Sequence, residues 1–407
     1  MKKSLITLLS VVLALVLVSG CAPAQPTATE ASAPTQAPAA TEAPAATQAP
    51  AADQVFKIGM MAPGTGDLAF LGENMKRLAE YEEKAINDAG GINGVPVKFI
   101  FEDDLGSAAG GTTAIKKLLS VDHVNAIVGP LFTSPMLAIA PTLNEEKVPA
   151  ISPTTSNDGI FTENGYVFSL DLRPISVTKF QCDYFNQKGL KNLAFIGEYN
   201  DHTLTKMEQF KSECPNYGVN VVGMETYQAG ADQFRTELTK IKAANPDVIF
   251  MNVNTPELIK LVREMKELGF DKKIFLSTDF QSIQEDVFTQ IGPEVDGRLS
   301  FTTGNPPPDG STKDLIDVYN QQYLAQFREK YNADPTGETP LLWDSINILI
   351  AAAKNAKSLS GEDLRNALAA TDMRAITGDI TFQSDGSVVR TPYMIEYKDG
   401  QQTYWNK

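Results

Sequence analysis

The chain has 407 residues, with 35 Lys and Arg against 50 Asp and Glu, a formal net charge of −15 at pH 7. That balance argues against nucleic acid and against anionic lipid as partners of the folded part, since both carry the same sign of charge. Two histidines and three cysteines leave little material for a metal centre, and none is expected.

In chain order, Lys2 and Lys3 precede an apolar run at 5–18 that ends in Val18-Ser19-Gly20-Cys21. This is the layout of a secretory signal, and the run is too short for a membrane span, which needs ~20 residues. The closing tetrapeptide resembles a bacterial lipobox, which implies a signal at 1–20 and diacylation of Cys21. Residues 22–53 are almost entirely Ala, Pro, Thr, Gln and Glu. With no large apolar residue to bury, they form no core and read as a disordered tether. Extended at ~3.1 Å per residue, that tether spans ~100 Å.

The residues after 53 exceed what one hydrophobic core usually serves, so two lobes are expected. Strands are predicted at 55–61, 95–101, 124–128 and 148–151, with helices at 73–89, 108–120 and 135–145 between them. After Arg173-Pro174 the alternation resumes. Helices are predicted near 176–188, 204–214, 232–244 and 256–268, and strands at 193–196, 219–226, 247–252 and 273–277. A proline-rich break at 305–310 precedes helices at 313–331 and 340–357. The most apolar late segment, 341–353, is interrupted by Asp344, Ser345 and Asn347, so no transmembrane helix is expected there. Cys182 and Cys214 form a disulfide or remain as two buried thiols; the sequence leaves both open.

Regular strand–helix alternation implies α/β lobes with doubly wound parallel sheets, whose ligands bind beyond the carboxyl ends of the strands. The turn Gly129-Pro130-Leu131-Phe132-Thr133-Ser134-Pro135 follows the third strand. There Ser134 reads as a helix N-cap with Pro135 in the first turn, and Thr133 adds a hydroxyl beside unpaired N–H groups. The loop 152–157, Ser-Pro-Thr-Thr-Ser-Asn, is rich in hydroxyls and lies next to that turn. Thr278-Asp279 ends a strand and offers a carboxylate. His202 and Asn254 also follow strands, although Asn254 precedes Thr255-Pro256 and has a local capping role available.

The segment 59–72, the turn Asp88-Ala-Gly-Gly-Ile-Asn-Gly94, Asp103-Asp104, Gly129, Ile151-Ser152-Pro153 and Asp385-Gly386 stand in the order and spacing of one family. The chain resembles the type I periplasmic solute-binding proteins of ABC transporters, in the branched-chain amino-acid-binding group, as a lipoprotein form. The resemblance covers roughly 55–398. It implies a Venus flytrap of two doubly wound lobes joined by a three-strand hinge near Arg173, Thr303 and Thr391. Lobe I would take 54–172 with 304–390, and lobe II 173–303 with 391–407.

The resemblance further implies that Thr133, Thr154 and Ser156 hold a ligand carboxylate and that Asp279 holds its ammonium group. The positions enclosing the side chain are Leu71, His202 and Asn254. The amino-acid handle is thus retained while the aromatic Leu/Ile/Val pocket is not, which favours a more polar amino acid. An ABC permease is the implied protein partner, with no cofactor and no catalytic residue. An enzyme is disfavoured further, since the chain has no Gly-x-Ser-x-Gly elbow and no phosphate loop. The alternatives are an amide, urea or a carboxylate without an amine as cargo, or a ligand sensor in place of a transporter component.

Overall fold

The computed structural model describes residues 54–253, 255–270, 274–277, 299–302, 307, 310–398 and 401–405. Cys21, Asn254, Asp279 and Thr303 lie outside the described residues.

The first sheet contains β1 (Phe56–Ala62), β2 (Val97–Asp103), β3 (Ala126–Val128), β4 (Ala150–Ser152) and β5 (Val167–Ser169), in the order β2-β1-β3-β4-β5. All its pairings are parallel. The connecting helices are α1 (Ala69–Asp88), α2 (Ala108–Lys117) and α3 (Thr133–Glu146). Alternation along β1 explains the layers. Phe56, Ile58 and Met60 join Met75 and Leu78 of α1 in one core, while Met61 faces Ile115 of α2 and Ile139 of α3 in another.

The second series begins with α4 (Pro174–Gln187) and β6 (Asn192–Glu198). It continues with α5 (Asp201–Glu213), β7 (Asn220–Tyr227), α6 (Arg235–Ala243), β8 (Val248–Asn252), α7 (Thr255–Glu267), β9 (Ile274–Ser277) and β10 (Leu299–Thr302). Its sheet is sided in the same way. Leu193 and Phe195 pack with Phe185 and Phe210 beneath α4 and α5, while Ala194 and Ile196 pack with Leu238 and Leu261 beneath α6 and α7. Each fully buried Phe of this kind contributes about 1.5–3 kcal/mol. Cys182 of α4 and Cys214, just after α5, are bridged with a Cα–Cα distance of 5.0 Å, which settles the pairing left open above.

The chain then returns to the first core. After α8 (Lys313–Tyr319), a wider helical turn and α9 (Ala325–Tyr331), α10 (Thr339–Asn355) places Leu342, Ile346 and Leu349 against β1 and α1. Next come α11 (Gly361–Ala369) and a small antiparallel sheet of β11 (Asp372–Ala375), β12 (Gly378–Phe382) and β13 (Val388–Val389). Finally β14 (Tyr393–Lys398) and β15 (Gln401–Trp405) add antiparallel strands to the second sheet, whose order is β15-β14-β10-β9-β8-β6-β7. Two lobes built on separate sheets result, as expected. The antiparallel edge and the three-stranded sheet are departures from a purely parallel reading.

Two local expectations are corrected. Ser134 is not an N-cap: α3 begins at Thr133, and Phe132 occupies the cap position without a side-chain cap. Helix α5 begins three residues before its expected start, because Asn200 caps it, its Oδ1 accepting from Thr203 N at 2.9 Å.

Candidate functional site

In each sheet the chain first adds a strand on one side and then crosses to the other. The reversals fall between β1 and β3 and between β6 and β8. Crevices open at the carboxyl ends of such strand pairs. The turn after β3, the loop after β4 and the start of α5 after β6 all emerge at these ends.

The first wall is held by its own hydroxyls. Gly129 has φ +98°, and a Cβ there would sit 2.4 Å from Met61 O, so only glycine lets β1 and this turn approach. Ser152 Oγ donates to Pro130 O at 2.8 Å and Thr154 Oγ1 to Leu131 O at 2.7 Å. Ser169 Oγ donates to Thr155 O beneath them. These bonds fix the turn 129–133 against the loop 152–156. They also commit the Thr154 proton to Leu131, so its oxygen offers lone pairs to a ligand rather than a donor. The half-buried hydroxyls of Thr133 and Ser156 have no hydrogen-bond partner among the described residues.

Two neighbouring cavities share Thr133. One, of about 320 Å³, is lined by Leu71, Leu131, Phe132, Thr133, Thr154 and Glu338. The other, of about 390 Å³, brings Thr133, Ser156 and Asn157 from the first wall against His202, Lys206 and Gln209 of α5. A larger depression of about 480 Å³ lies away from the strand ends, over α1 and β2. Its Lys84–Asp88 and Lys98–Glu83 pairs satisfy one another, so it lacks the convergent unpaired groups of the cleft.

The second wall is ionisable. His202 Nδ1 lies 3.3 Å from Asn252 Nδ2, a geometry that makes Nδ1 the acceptor and leaves the ring proton on Nε2. His202 is exposed, and desolvation of its ring, then the Lys206 charge, push its pKa down. Lys206 is only 6% exposed. Its Nζ donates to Thr178 Oγ1 at 2.9 Å and lies 5.2 Å and 5.8 Å from the ring centres of Phe210 and Phe250. Burial pushes its pKa down to about 7.

Of the residues expected at the site, the structure brings Leu71, Thr133 and Thr154 together in one cavity and Thr133, Ser156 and His202 in the other. Asp279 and Asn254 are outside the described residues. Sequence reasoning missed Lys206 and Glu338. Lys206 is legible in retrospect, one turn along α5 from His202 on the same face. Glu338, which accepts a bond from Thr336 Oγ1, reaches the site only because the chain returns to the first core through α10.

A family model described as periplasmic binding protein matches residues 55–402. An amino acid binding protein of Pseudomonas aeruginosa is 26% identical over 356 residues, covering 85% of this chain and 91% of its own. A branched-chain amino acid transporter substrate-binding protein of Streptococcus pneumoniae, solved with isoleucine, is similar with a TM-score of 0.68 and 25% identity, covering 87% and 99% of the two chains. A solute-binding protein of R. palustris, solved with benzoate, shares the fold at a TM-score of 0.66 and 20% identity, covering 86% and 96%. Among the described residues no helix is long and apolar enough to cross a membrane. The chain belongs to the periplasmic binding protein family, as an extracytoplasmic solute-binding protein of the ABC-transporter kind and not an enzyme.

Proposed function

We propose that this protein is anchored by a lipid on Cys21, captures a small amino acid in the cleft between its lobes and delivers it to a membrane permease. The observation that carries the reading is the pair of hydroxyls, Thr133 and Ser156, without partners among the described residues, on a wall rigid enough to aim them at a carboxylate. The relative named for amino acid binding and the neighbour solved with isoleucine support it. The Thr154 oxygen, as acceptor, and the Glu338 carboxylate suit the ammonium end from the first wall. Asp279 is the candidate for the same group from the second lobe, on sequence grounds alone.

The proposed lobe I comprises 54–172 with 304–390 and lobe II 173–303 with 391–407, the lobes closing over crossovers near Arg173, Thr303 and Thr391. A ligand that touches both walls favours the closed state.

The fold also accommodates an acid without an amine, as the benzoate-bound neighbour illustrates. A thermal-shift and calorimetry panel of amino acids, amides, urea and benzoate separates the readings. A true ligand at ~100 times its dissociation constant adds ~2.7 kcal/mol. If benzoate or an amide binds and no α-amino acid does, the reading is wrong. For the anchor, Cys21→Ser should release the protein from membranes or leave its signal uncleaved. Unchanged membrane association with the signal removed would refute lipidation. A sensor differs from a transporter component by the absence of binding to a permease, which co-purification reads.

A further inference from the structure

We infer that the second wall of the cleft is an anion subsite built on Lys206, and that the cargo is an acidic amino acid whose side-chain carboxylate sits against it. Thr133 and Ser156 would hold the α-carboxylate at the opposite wall; in this respect the inference rests on the amino-acid reading above.

Lysine is almost never fully buried unless paired. Lys206 is 6% exposed, and no carboxylate pairs with it among the described residues. An ammonium group has three donors. Of the hydrogen bonds to side chains and backbone described here, it makes one, to Thr178 Oγ1. Among the described residues, each element packed around it is neutral where it meets Lys206. From α4 comes Thr178, from β8 Phe250, and from α5 itself Phe210 and the neutral amide of Gln209, whose Oε1 accepts from Thr178 Oγ1 at 3.1 Å. Among the described residues His202 is the other titratable group lining this cavity, and its pKa is pushed down by desolvation and by Lys206.

With no carboxylate against it among the described residues, Lys206 under a ligand with a neutral side chain would be closed in as an unpaired ammonium, which costs free energy unless the proton leaves. A ligand carboxylate removes that conflict. The cavity of about 390 Å³ that Lys206 shares with Thr133 and Ser156 is of small-ligand size, so one molecule can engage both walls. The low pKa of Lys206 fits the same account. The empty site is largely uncharged above pH 7, and an arriving anion would draw a proton onto Nζ.

The rival is a purely structural Lys206 that fills space over Phe210 and Phe250. Calorimetry of glutamate against glutamine decides, because the two match in size and differ in charge. The unaltered protein should bind glutamate ~10–100 times more tightly, the range expected for one hydrogen-bonded charge. Titration at pH 8 in two buffers of different ionisation enthalpy should show proton uptake with glutamate and none with glutamine. Lys206→Met keeps the apolar stem, so it should fold, bring the two affinities together and abolish the uptake.

Equal binding of glutamate and glutamine by the unaltered protein would overturn the inference, as would a preference unchanged in Lys206→Met. If that variant fails to fold, the affinity ratio and proton count of the unaltered protein still decide. Failure of the two readings looks different. Neutral amino acids binding best, with or without Lys206, would remove the anion subsite and keep the amino-acid reading. Lys206-dependent binding of glutarate, with no amino acid binding, would keep the subsite and remove the amino-acid reading.

Discussion

The two walls of the cleft reach the same place by different construction. The first is two loops whose side-chain hydroxyls bind backbone carbonyls, which leaves Thr133 and Ser156 as neutral donors on a fixed frame. The second is one face of α5, where His202 and Lys206 stand four residues apart and carry ionisable groups. On the reading proposed here, the rigid first wall, with its fixed hydroxyls and the Glu338 carboxylate, grips the groups common to all amino acids. The ionisable wall reads the part that varies. Recognition of a handle needs fixed donors, whereas discrimination needs groups whose burial is costly with the wrong partner.

The comparison can be broken first on the side of stability. The Cys182–Cys214 bridge closes a loop across 32 residues and lies wholly in the second-sheet lobe. Replacing both with alanine should remove about 3–4 kcal/mol of stability, by the chain-entropy estimate. Urea unfolding measures the loss, and amide exchange locates it. Amides of α4 and α5 should lose protection while those of α1 keep theirs. Equal loss in both lobes would mean that the two walls do not fold as separable units.

On the side of binding, Thr133→Ala and Ser156→Ala should each cost about 1.5–3 kcal/mol of ligand affinity, since each removes a donor to a charged oxygen. Neither hydroxyl has a partner among the described residues, so melting temperature should hardly move. Full-strength binding by the double variant would take the carboxylate away from the first wall. A sharper version pairs Asp279→Asn with an amino acid and its deaminated analogue. The amino acid should lose far more, and equal losses would leave Asp279 without a part in holding the amine.

The first wall was more legible in the sequence than the second, for a physical reason. A strand end followed by a hydroxyl-rich turn is a local pattern, and Thr133, Thr154 and Ser156 are read from short windows. What the pattern could not give was the direction of the Thr154 hydroxyl, which depends on a carbonyl 23 residues away. Nor could it place the start of α3, since Ser134 satisfies every local rule for a cap and the chain nonetheless turns helical two residues before Pro135. Lys206 and Glu338 fail a local reading differently. One is an ordinary helix lysine until burial is known, and the other is brought in by a long return of the chain. Strand β5 and the sheet β11–β13 were missed because runs of two to five residues carry too little periodicity to separate from loop.

The smallest effects make the sharpest contrast, because the two lobes should respond to pH with opposite sign. In the first, Glu82 of α1 is 4% exposed, with Oε1 lacking a partner, and burial raises its pKa to about 7, against a weaker opposing bond from Asn347. Between its unfolded value of 4.5 and about 7, the native state keeps a proton that the unfolded chain has lost. Stability therefore falls as pH rises through that window. Asp104 and Asp344, both raised to about 6 by burial, add to the same limb at its acidic end.

In the second lobe, Lys206 is lowered from 10.5 to about 7. Between those values the unfolded chain holds the extra proton, so stability rises with pH. Each group contributes at most ~1.4 kcal/mol per pH unit. Urea midpoints from pH 5 to 9.5 should thus pass through a minimum near neutrality. Glu82→Gln should flatten the acidic limb alone and Lys206→Met the basic limb alone. A ligand that brings an anion to Lys206 holds the proton on Nζ, so saturating glutamate should flatten the basic limb of the unaltered protein as the mutation does. A basic limb that survives both the mutation and the ligand would show that Lys206 titrates as an ordinary surface lysine, and that the second wall carries no charge the ligand answers.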